Sequence, residues 1–454
     1  MPEAPLTRLD RASIAVLVAL VIGCGVLTEI RGAFAQRRHT DVGVYLRGSW
    51  ALRNGLDPYA VTDDNGWHYA YPPLLAIALI PFADAPAGVE QPKLAVPYPV
   101  SVGLWYLVSA ALLFWATHHL SRALEETAAE PLPTAGQRRY WWTRGWPVWL
   151  CMPAIGSTLA KGQSNMLVLA LLTGVIAAAI RGRRAVAGWC LAGAVCIKVF
   201  PALLVAYPLV RRDWRMLGHF TLAMIAGIVV VPVLALGPDR AWTTTETFVG
   251  QILLPGLTTA PGVMSRELTD MTGTDNQSVR AIIHNALNLD GATRPPMAST
   301  GTKIAHAVIS LGLIVWTFWA ARRISDARYR TLFTLSGLVI VAVAATPVNH
   351  THYMVLAVPG VLGLVFWEME RRRRLVWGPA LWVVLVLHVV SGIYPRLPFL
   401  PGYQAARDLG VTLLGTLLVG WAGLKFSATR EPGAAAPGAV EGATIRLPSV
   451  RVFK

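Results

Sequence analysis

The sequence predicts an all-α integral membrane protein with about twelve transmembrane helices, and three observations predict it. Hydrophobic residues make up 54 % of the chain and charged residues only 14 %, against roughly 25 % charged in an average soluble domain. Mean hydropathy is +0.49. The apolar residues are gathered into runs near the length, about 20 residues, that crosses a bilayer as a helix.

The first run, Ala12 to Ile30, is long enough to span. A secretory signal would pair a short apolar core with a small-residue cleavage site, and none is evident, so this run reads as a retained span. Further spans are expected at Val100 to Leu120, Asn165 to Ile180, Met216 to Leu236, Thr302 to Ala321, Leu332 to Ala345, Tyr353 to Trp367, Leu375 to Ile393 and Asp408 to Lys425. Trp146 to Leu159, Val186 to Ile197 and Phe200 to Val210 are less regular. The count of about twelve holds if the short runs cross in pairs, as broken helices whose free backbone groups are covered by protein.

The net charge of +15 does not indicate nucleic acid, because the basic residues lie between spans. They cluster at Arg181, Arg183 and Arg184, at Arg211, Arg212 and Arg215, at Arg322, Arg323, Arg328 and Arg330, and at Arg371 to Arg374. Short Arg-rich loops mark the cytoplasmic side. Both termini are then inside, and the loops holding Asp41, Asn276, His350 and Tyr394 converge on the opposite face. Residues 1–426 read as one polytopic domain and 427–454, rich in Ala, Gly and Pro from Glu431 on, as a disordered cytoplasmic tail.

Two external segments are large, Arg31 to Pro99 and Gly237 to Gly301. The first contains "YAYPPLLAIALIPF", too short to span and expected to lie in the interface or re-enter the membrane. Cys24, Cys151, Cys190 and Cys196 all lie in apolar stretches, where they act as small hydrophobes, and no zinc spacing is present.

Candidate chemistry sits at the polar positions that this plan brings together. Asp63, Asp64, Asp84 and Glu90 read as solvated loop acids. Asp41 opens "DVGVYLRGSWALRNG", whose spacing suits an amphipathic helix flat on the membrane, and capping of that helix and catalysis both fit the position. "LAKGQSNMLVLALL" places Lys161, Gln163 and Asn165 at the head of an apolar run, and "AGAVCIKVFPALL" places Lys198 within one. A cation there is costly unless it pairs with an anion or a freed carbonyl, which makes Lys198 the candidate for a lipid phosphate; snorkelling or pairing with an acid is its plain structural alternative. "ATPVNHTHYMVLAVPG" offers His350 and His352, which suit a phosphate oxygen or a sugar hydroxyl better than a metal, since no carboxylate lies at ligand spacing. His118 and His119 read as interfacial. Asn276 begins a glycosylation sequon, a reading that needs a eukaryotic secretory context.

The ordered set "DVGVYLRGSWALRNGLDPY", "YPPLLAIALIPF", "GQSNMLVLALL", "AGAVCIKVFPALLVAYPLVRRDWR", "DNQSVRAII" and "ATPVNHTHYMVLAVP" resembles the polyprenyl-phosphate-mannose-dependent mannosyltransferases of the GT-C class, glycosyltransferase family 87. The nearest group looks like the actinobacterial enzymes that extend phosphatidylinositol mannosides, with relatives that transfer arabinofuranose. The resemblance implies a GT-C-like bundle whose non-cytoplasmic loops form a metal-independent, inverting active site. Its partners would be a polyprenyl-phosphate-sugar donor, a glycolipid or glycan acceptor and membrane lipids, with no cofactor. The acid just after the first span is the base in such enzymes, and Asp41 matches that place better than Asp57. The loop histidine maps to His352, with His350 beside it in "NHTHY", where relatives commonly carry Trp and an adjacent His pair.

The residues fit that chemistry on their own account. A sugar on a phosphate already has its leaving group, so one base and a set of cations suffice. The expected site is therefore Asp41 as base, Lys198, His352 and His350 on the phosphate, and Gln163, Asn165, Tyr71, Asn276 and Gln277 shaping the sugar pocket. A lipid-linked sugar transporter is the rival class, but its coupling acids would lie within the spans.

Overall fold

The computed structural model of the chain describes residues 5–35, 40–91, 96–128, 136–258, 265–272, 275–372 and 375–428. The expected tail beyond residue 428, and Arg373 and Arg374 of the basic run, lie outside them. Among the described residues the regular structure is helical, with isolated β-bridges at Thr62–His68 and Asn276–His350.

The first helix, Arg8–Glu29, begins at a reciprocal cap in which Thr7 Oγ1 accepts from Asp10 N–H and Asp10 accepts from Thr7 N–H. With a wide turn at Ile30–Phe34 it forms the first of seven helices, among the described residues, long and apolar enough to cross a membrane. The others are Tyr98–Glu126, Trp214–Leu236, Thr300–Ala321, Ala327–Ala345, Thr351–Arg372 and Pro379–Arg396. Four shorter apolar helices, Asn165–Ile180, Arg184–Ile197, Phe200–Val210 and Val411–Phe426, join them. The expectation of twelve is thus not reached by helices of crossing length.

The shortfall has local causes. The run expected at Trp146 to Leu159 is two helices, Gln137–Leu150 and Met152–Ala160, parted at Cys151 between Pro147 and Pro153; each proline removes a helical donor and crowds the preceding turn. Likewise Arg184–Ile197 stops at Lys198, whose backbone is extended, and Pro201, whose ring would crowd the Ile197 carbonyl of a continuing helix, opens the next turn, Phe200–Val205.

Burial separates an inner from an outer set of spans. Ala327–Ala345 and Thr351–Arg372 are 83 % and 89 % buried within the protein, against 6 % for Arg8–Phe34 and 11 % for Trp214–Leu236. The outer helices present Val16, Ile22, Leu222 and Val229 on their surfaces, an arrangement suited to hydrocarbon as solvent. The protein is a multi-pass membrane protein.

The first external segment departs from expectation. The helix Val42–Arg53 does not lie flat with one wet face, since nearly all of its residues are buried. It packs against Pro73–Ala78 and Ile80–Phe82, the short apolar stretch, which folds over it. Arg47 is consequently inside, donating from Nε to Asp84 O (3.1 Å), from Nη1 to Thr62 O (3.0 Å) and from Nη2 to Asp64 Oδ1 (2.8 Å). Asp63 and Asp84 are buried rather than solvated, Asp63 accepting from the backbone of Asn65 and Trp67. A buried guanidinium needs acids and carbonyls around it, and these residues supply them. Glu90 is exposed.

Candidate active site

Asp41 precedes the buried helix, yet its side chain does not cap it. Its backbone N–H donates to Lys161 O (2.8 Å), fastening the head of this helix to the turn Lys161–Gly162–Gln163. That turn requires glycine: φ at Gly162 is +63°, and a Cβ there would collide with Val42 and Thr40. Trp105 Nε1 donates to Gly162 O (2.8 Å) and Gln163 N to Thr158 O (3.1 Å), so Gln163 is delivered against Asp41 by a pinned backbone.

Gln163 is the hub of the polar cluster. Its Nε2 donates to Asp41 Oδ2, while its Oε1 accepts from Lys198 Nζ at 3.1 Å and from Tyr45 O–H at 3.4 Å. Lys198 Nζ also donates to Asn165 Oδ1 at 2.7 Å. The ammonium stands 5.1 Å from the Tyr71 ring centroid and 4.4 Å from that of Tyr353, where the negative ring faces attract it. Lys198 is only 3 % exposed, and its cation is thus held by two neutral amides and two aromatic rings. Asp41 is the nearby charge of opposite sign.

The histidines reach the same place from a late loop. His350 pairs across an isolated bridge with Asn276 and sets Nδ1 3.3 Å from Asp275 Oδ2, with Lys161 Nζ 4.0 Å from that carboxylate. His352 is buried at the start of Thr351–Arg372, and its backbone carbonyl accepts from Thr158 Oγ1 (2.8 Å). The two imidazoles lie 5.4 Å apart. Among the described residues nothing hydrogen-bonds His352 Nδ1.

A cavity of about 1050 Å³ unites these groups. Asp41, Lys161, Gln163, Lys198, Asp275, His350 and His352 line it, together with Tyr45, Tyr71 and Tyr353. Phe200, Leu203, Phe248, Ile252, Leu253 and Leu257 form an apolar flank, and Arg31, Trp67, His68 and Glu267 add polar ones. Burial raises the Asp41 carboxyl above its ordinary range, although Lys161, Lys198 and His350 pull the other way. Asp275 is held below that range, first by its contact with the His350 ring. No group of three or more His, Cys, Asp or Glu side chains among the described residues is placed to hold a metal ion.

Three expected pocket residues are not on the wall. Asn165 is fully buried behind Lys198, whose ammonium it holds. Asn276 is 1 % exposed, and its Oδ1 accepts from Ser278 N and Asn349 N at 3.1 Å each. Gln277 Nε2 donates to Arg407 O at 2.8 Å. The Asn276 amide ties the "DNQS" and "TPVNH" segments together beside His350, and the Gln277 amide ties the first of them to Arg407, rather than facing the cavity. Asp57 is exposed and accepts from Tyr59 N–H within its own turn (3.0 Å), away from the wall.

Sequence reasoning missed Tyr45, Tyr353, Asp275, Arg31, His68 and Glu267. Tyr45 carried a signal, since it lies one helical turn after Asp41 and shares its face. The pair His68 Nδ1–Glu267 Oε1, at 2.7 Å, joins segments almost two hundred residues apart and carried none.

The family model of glycosyltransferase family 87 matches residues 69–347, more than half of the chain. That stretch holds Gln163, Lys198 and Asp275, while Asp41 precedes it and His350 follows it. A polyprenol-phosphate-mannose-dependent alpha-(1-2)-phosphatidylinositol mannoside mannosyltransferase of Mycolicibacterium smegmatis is 27 % identical over 405 residues, covering 84 % of this chain and 81 % of the relative. The protein of the same description from Mycobacterium tuberculosis is 25 % identical over 351 residues, covering 74 % and 71 %. Among solved structures, ArnT from Cupriavidus metallidurans bound to undecaprenyl phosphate aligns with a TM-score of 0.42 and 14 % identity over 91 % of this chain and 77 % of that one.

Proposed function

We propose that this chain, which belongs to glycosyltransferase family 87, moves mannose from a polyprenyl-phosphate donor to a hydroxyl of a glycolipid or glycan acceptor, with inversion at the anomeric carbon. The donor assignment is supported by the descriptions of its two mycobacterial relatives. Residues 1–426 form the transferase domain, and the site faces the non-cytoplasmic side, opposite the Arg-rich loops.

The observation that carries the mechanism is one carboxylate joined through one amide to one buried ammonium, all on the wall of one cavity. Asp41 takes the proton of the acceptor hydroxyl as its oxygen attacks the anomeric carbon. The bond from that carbon to the phosphate oxygen breaks, and its electron pair leaves with the phosphate. Of the three N–H bonds of Lys198, two are spent on Gln163 and Asn165, and the third is available to a phosphate oxygen. His350 and His352 complete the phosphate's surroundings, and the apolar flank from Phe200 to Leu257 takes the first isoprene units. A single displacement needs one carboxylate, not the pair that glycoside hydrolysis uses.

The test is transfer of radiolabelled mannose from synthetic polyprenyl-phosphate-mannose to a membrane glycolipid extract by purified protein. Asp41→Asn should lower turnover by about 10² to 10⁴, and Asp57→Asn should stay near wild type. Equal loss in both variants sinks the assignment of the base. A wild type that transfers nothing, while binding and moving the lipid-linked sugar across a bilayer, would make the chain a transporter.

A further inference from the structure

We propose that His68 accepts a hydrogen bond from a hydroxyl of the acceptor sugar, and that Glu267 is the positioning residue that sets its ring. This deepens the reading above and rests on Asp41 being the base.

His68, His350 and His352 all line the cavity, and among the described residues only His68 has both ring and backbone held by one carboxylate. Glu267 Oε1 lies 2.7 Å from its Nδ1, and Oε2 accepts from its backbone N–H at 3.1 Å. An ionised carboxylate can only accept, so Nδ1 carries the proton, and in the neutral ring Nε2 keeps a lone pair. The side chain is 18 % exposed on the cavity wall, and among the described residues no protein group meets Nε2. His68 is therefore an acceptor whose tautomer and direction are both set. The cations on the wall, Arg31, Lys161 and Lys198, have no lone pair to offer a hydroxyl, and Asp41 is committed to the reacting one.

The turn that carries His68 stands over the head of the Asp41 helix. Its ends pair at Thr62–His68, Arg47 Nη1 donates to Thr62 O at 3.0 Å, and a Cβ on Gly43 would lie 3.8 Å from Asp63 Oδ2. The Asp63 carboxylate is close enough to act electrostatically on Asp41. Tyr69 anchors the segment from behind: it is buried where a Cβ on Gly48 would come within 3.0 Å of its ring, and its hydroxyl donates to Pro72 O at 2.7 Å. Tyr71 then reaches the Lys198 ammonium, so this stretch of wall runs from the base to the cation. In an inverting displacement the acceptor enters on the base side and the phosphate leaves on the other. A hydroxyl at His68 thus belongs to the acceptor, and Trp67, 49 % exposed on the same wall, offers a flat face to the same ring. The His68–Glu267 pair also ties together segments 199 residues apart. A clasp of that kind would matter without touching sugar, and the experiment below separates the two roles.

Full-length protein is supplied with saturating polyprenyl-phosphate-mannose, and octyl α-mannoside is compared as acceptor with its monodeoxy analogues. The analogue that lacks the reacting hydroxyl gives no product. Among the others, the one that lacks the hydroxyl held by His68 should show a kcat/KM about three- to tenfold below that of the parent mannoside in wild type. His68→Asn keeps an amide N–H near the place of Nδ1 for Glu267 but puts nothing at Nε2, so there the same preference should shrink to within about twofold. His68→Gln, whose amide reaches the place of Nε2, should restore part of it. Each preference compares two acceptors on one preparation, so a partly unfolded sample leaves it readable. A preference that survives in His68→Asn overturns the proposal and leaves the pair a clasp. A wild type that is indifferent to every non-reacting hydroxyl, or that transfers nothing to the mannoside, also overturns it, and the extract assay above then decides separately whether the transferase reading stands.

Discussion

Replacing Lys198 with Met removes the buried ammonium while keeping a flexible apolar chain of similar length. The two amide oxygens that hold Nζ, at 3.1 and 2.7 Å, leave one N–H for the departing phosphate. A hydrogen bond to a charged group contributes about 1.5–3 kcal/mol, and a unit charge near 4 Å at an effective dielectric of about 20 sets an upper figure of about 4 kcal/mol. The expected fall in kcat/KM is thus roughly 10- to 1000-fold. Stability should move little, because two changes oppose each other. Asn165 Oδ1 loses its donor, at about 1–3 kcal/mol, but a cation with no carboxylate in hydrogen-bond contact leaves a desolvated site. The assay is initial-rate transfer with the polyprenyl-phosphate donor varied, beside a thermal melt in detergent. If the contact tightens only as charge develops, kcat falls; if it serves ground and transition states alike, only the donor KM rises. A Lys198→Met protein that melts like wild type and transfers within threefold of it refutes the assignment of Lys198 to the phosphate.

Two further expectations follow from the geometry. Burial raises the Asp41 carboxyl above its ordinary range, so if Asp41 is the base, turnover should fall as pH drops through that raised pKa, because a base must be ionised. The sign for stability is the reverse: a raised carboxyl favours the fold below its unfolded pKa, and that contribution is lost as pH rises through the folded one. Asp41→Asn should therefore melt no lower than wild type near neutral pH while being inactive, and a clearly lower melt would show that the carboxylate is structural. Asn276→Ala strips the acceptor from Ser278 N–H and Asn349 N–H; it should cost about 1–3 kcal/mol and slow turnover by freeing the His350 loop. Wild-type melting together with wild-type kcat would show that the loop does not depend on this amide.

The legible part of the fold was whatever local sequence decides. Apolar runs of crossing length gave the outer spans, and the prolines at 147, 153 and 201 explain the broken ones once their positions are seen. What stayed hidden depends on partners distant in the chain. Asp84 looked solvated because nothing nearby showed that Arg47, 37 residues earlier, would be buried against it; Asp64, which also pairs with that arginine, is exposed as expected. Asn276 and Gln277 looked like pocket residues because a polar side chain in an external loop can face in or out, and their partners near Asn349 and Arg407 decide which. Of the expected site residues, Lys198 was legible because a cation within an apolar run is costly without a purpose, whereas Asp41, His350 and His352 have polar neighbours and were expected from the family resemblance.

Gln163 shows how far chemistry constrains the arrangement beyond what spacing reveals. An ionised carboxylate offers only acceptors and an ammonium only donors, so an amide placed between them has one workable orientation. Its nitrogen turns to Asp41 and its oxygen to Lys198 and Tyr45. Neither a carboxylate nor an aliphatic side chain at that position can do both. The amide keeps the Asp41 carboxylate and the Lys198 ammonium apart by its own length; in the proposed mechanism they then share one sugar between them without collapsing into an ion pair that would neutralise both. A direct Asp41–Lys198 bridge would depress the basicity of the carboxylate and use the N–H that the phosphate needs. The turn at Gly162, which no side-chain-bearing residue can adopt without striking Thr40 and Val42, is what sets this amide in place. In the proposed mechanism, the separation of base from cation, and with it the geometry of an in-line displacement, therefore rests on a backbone conformation as much as on the groups that would do the chemistry.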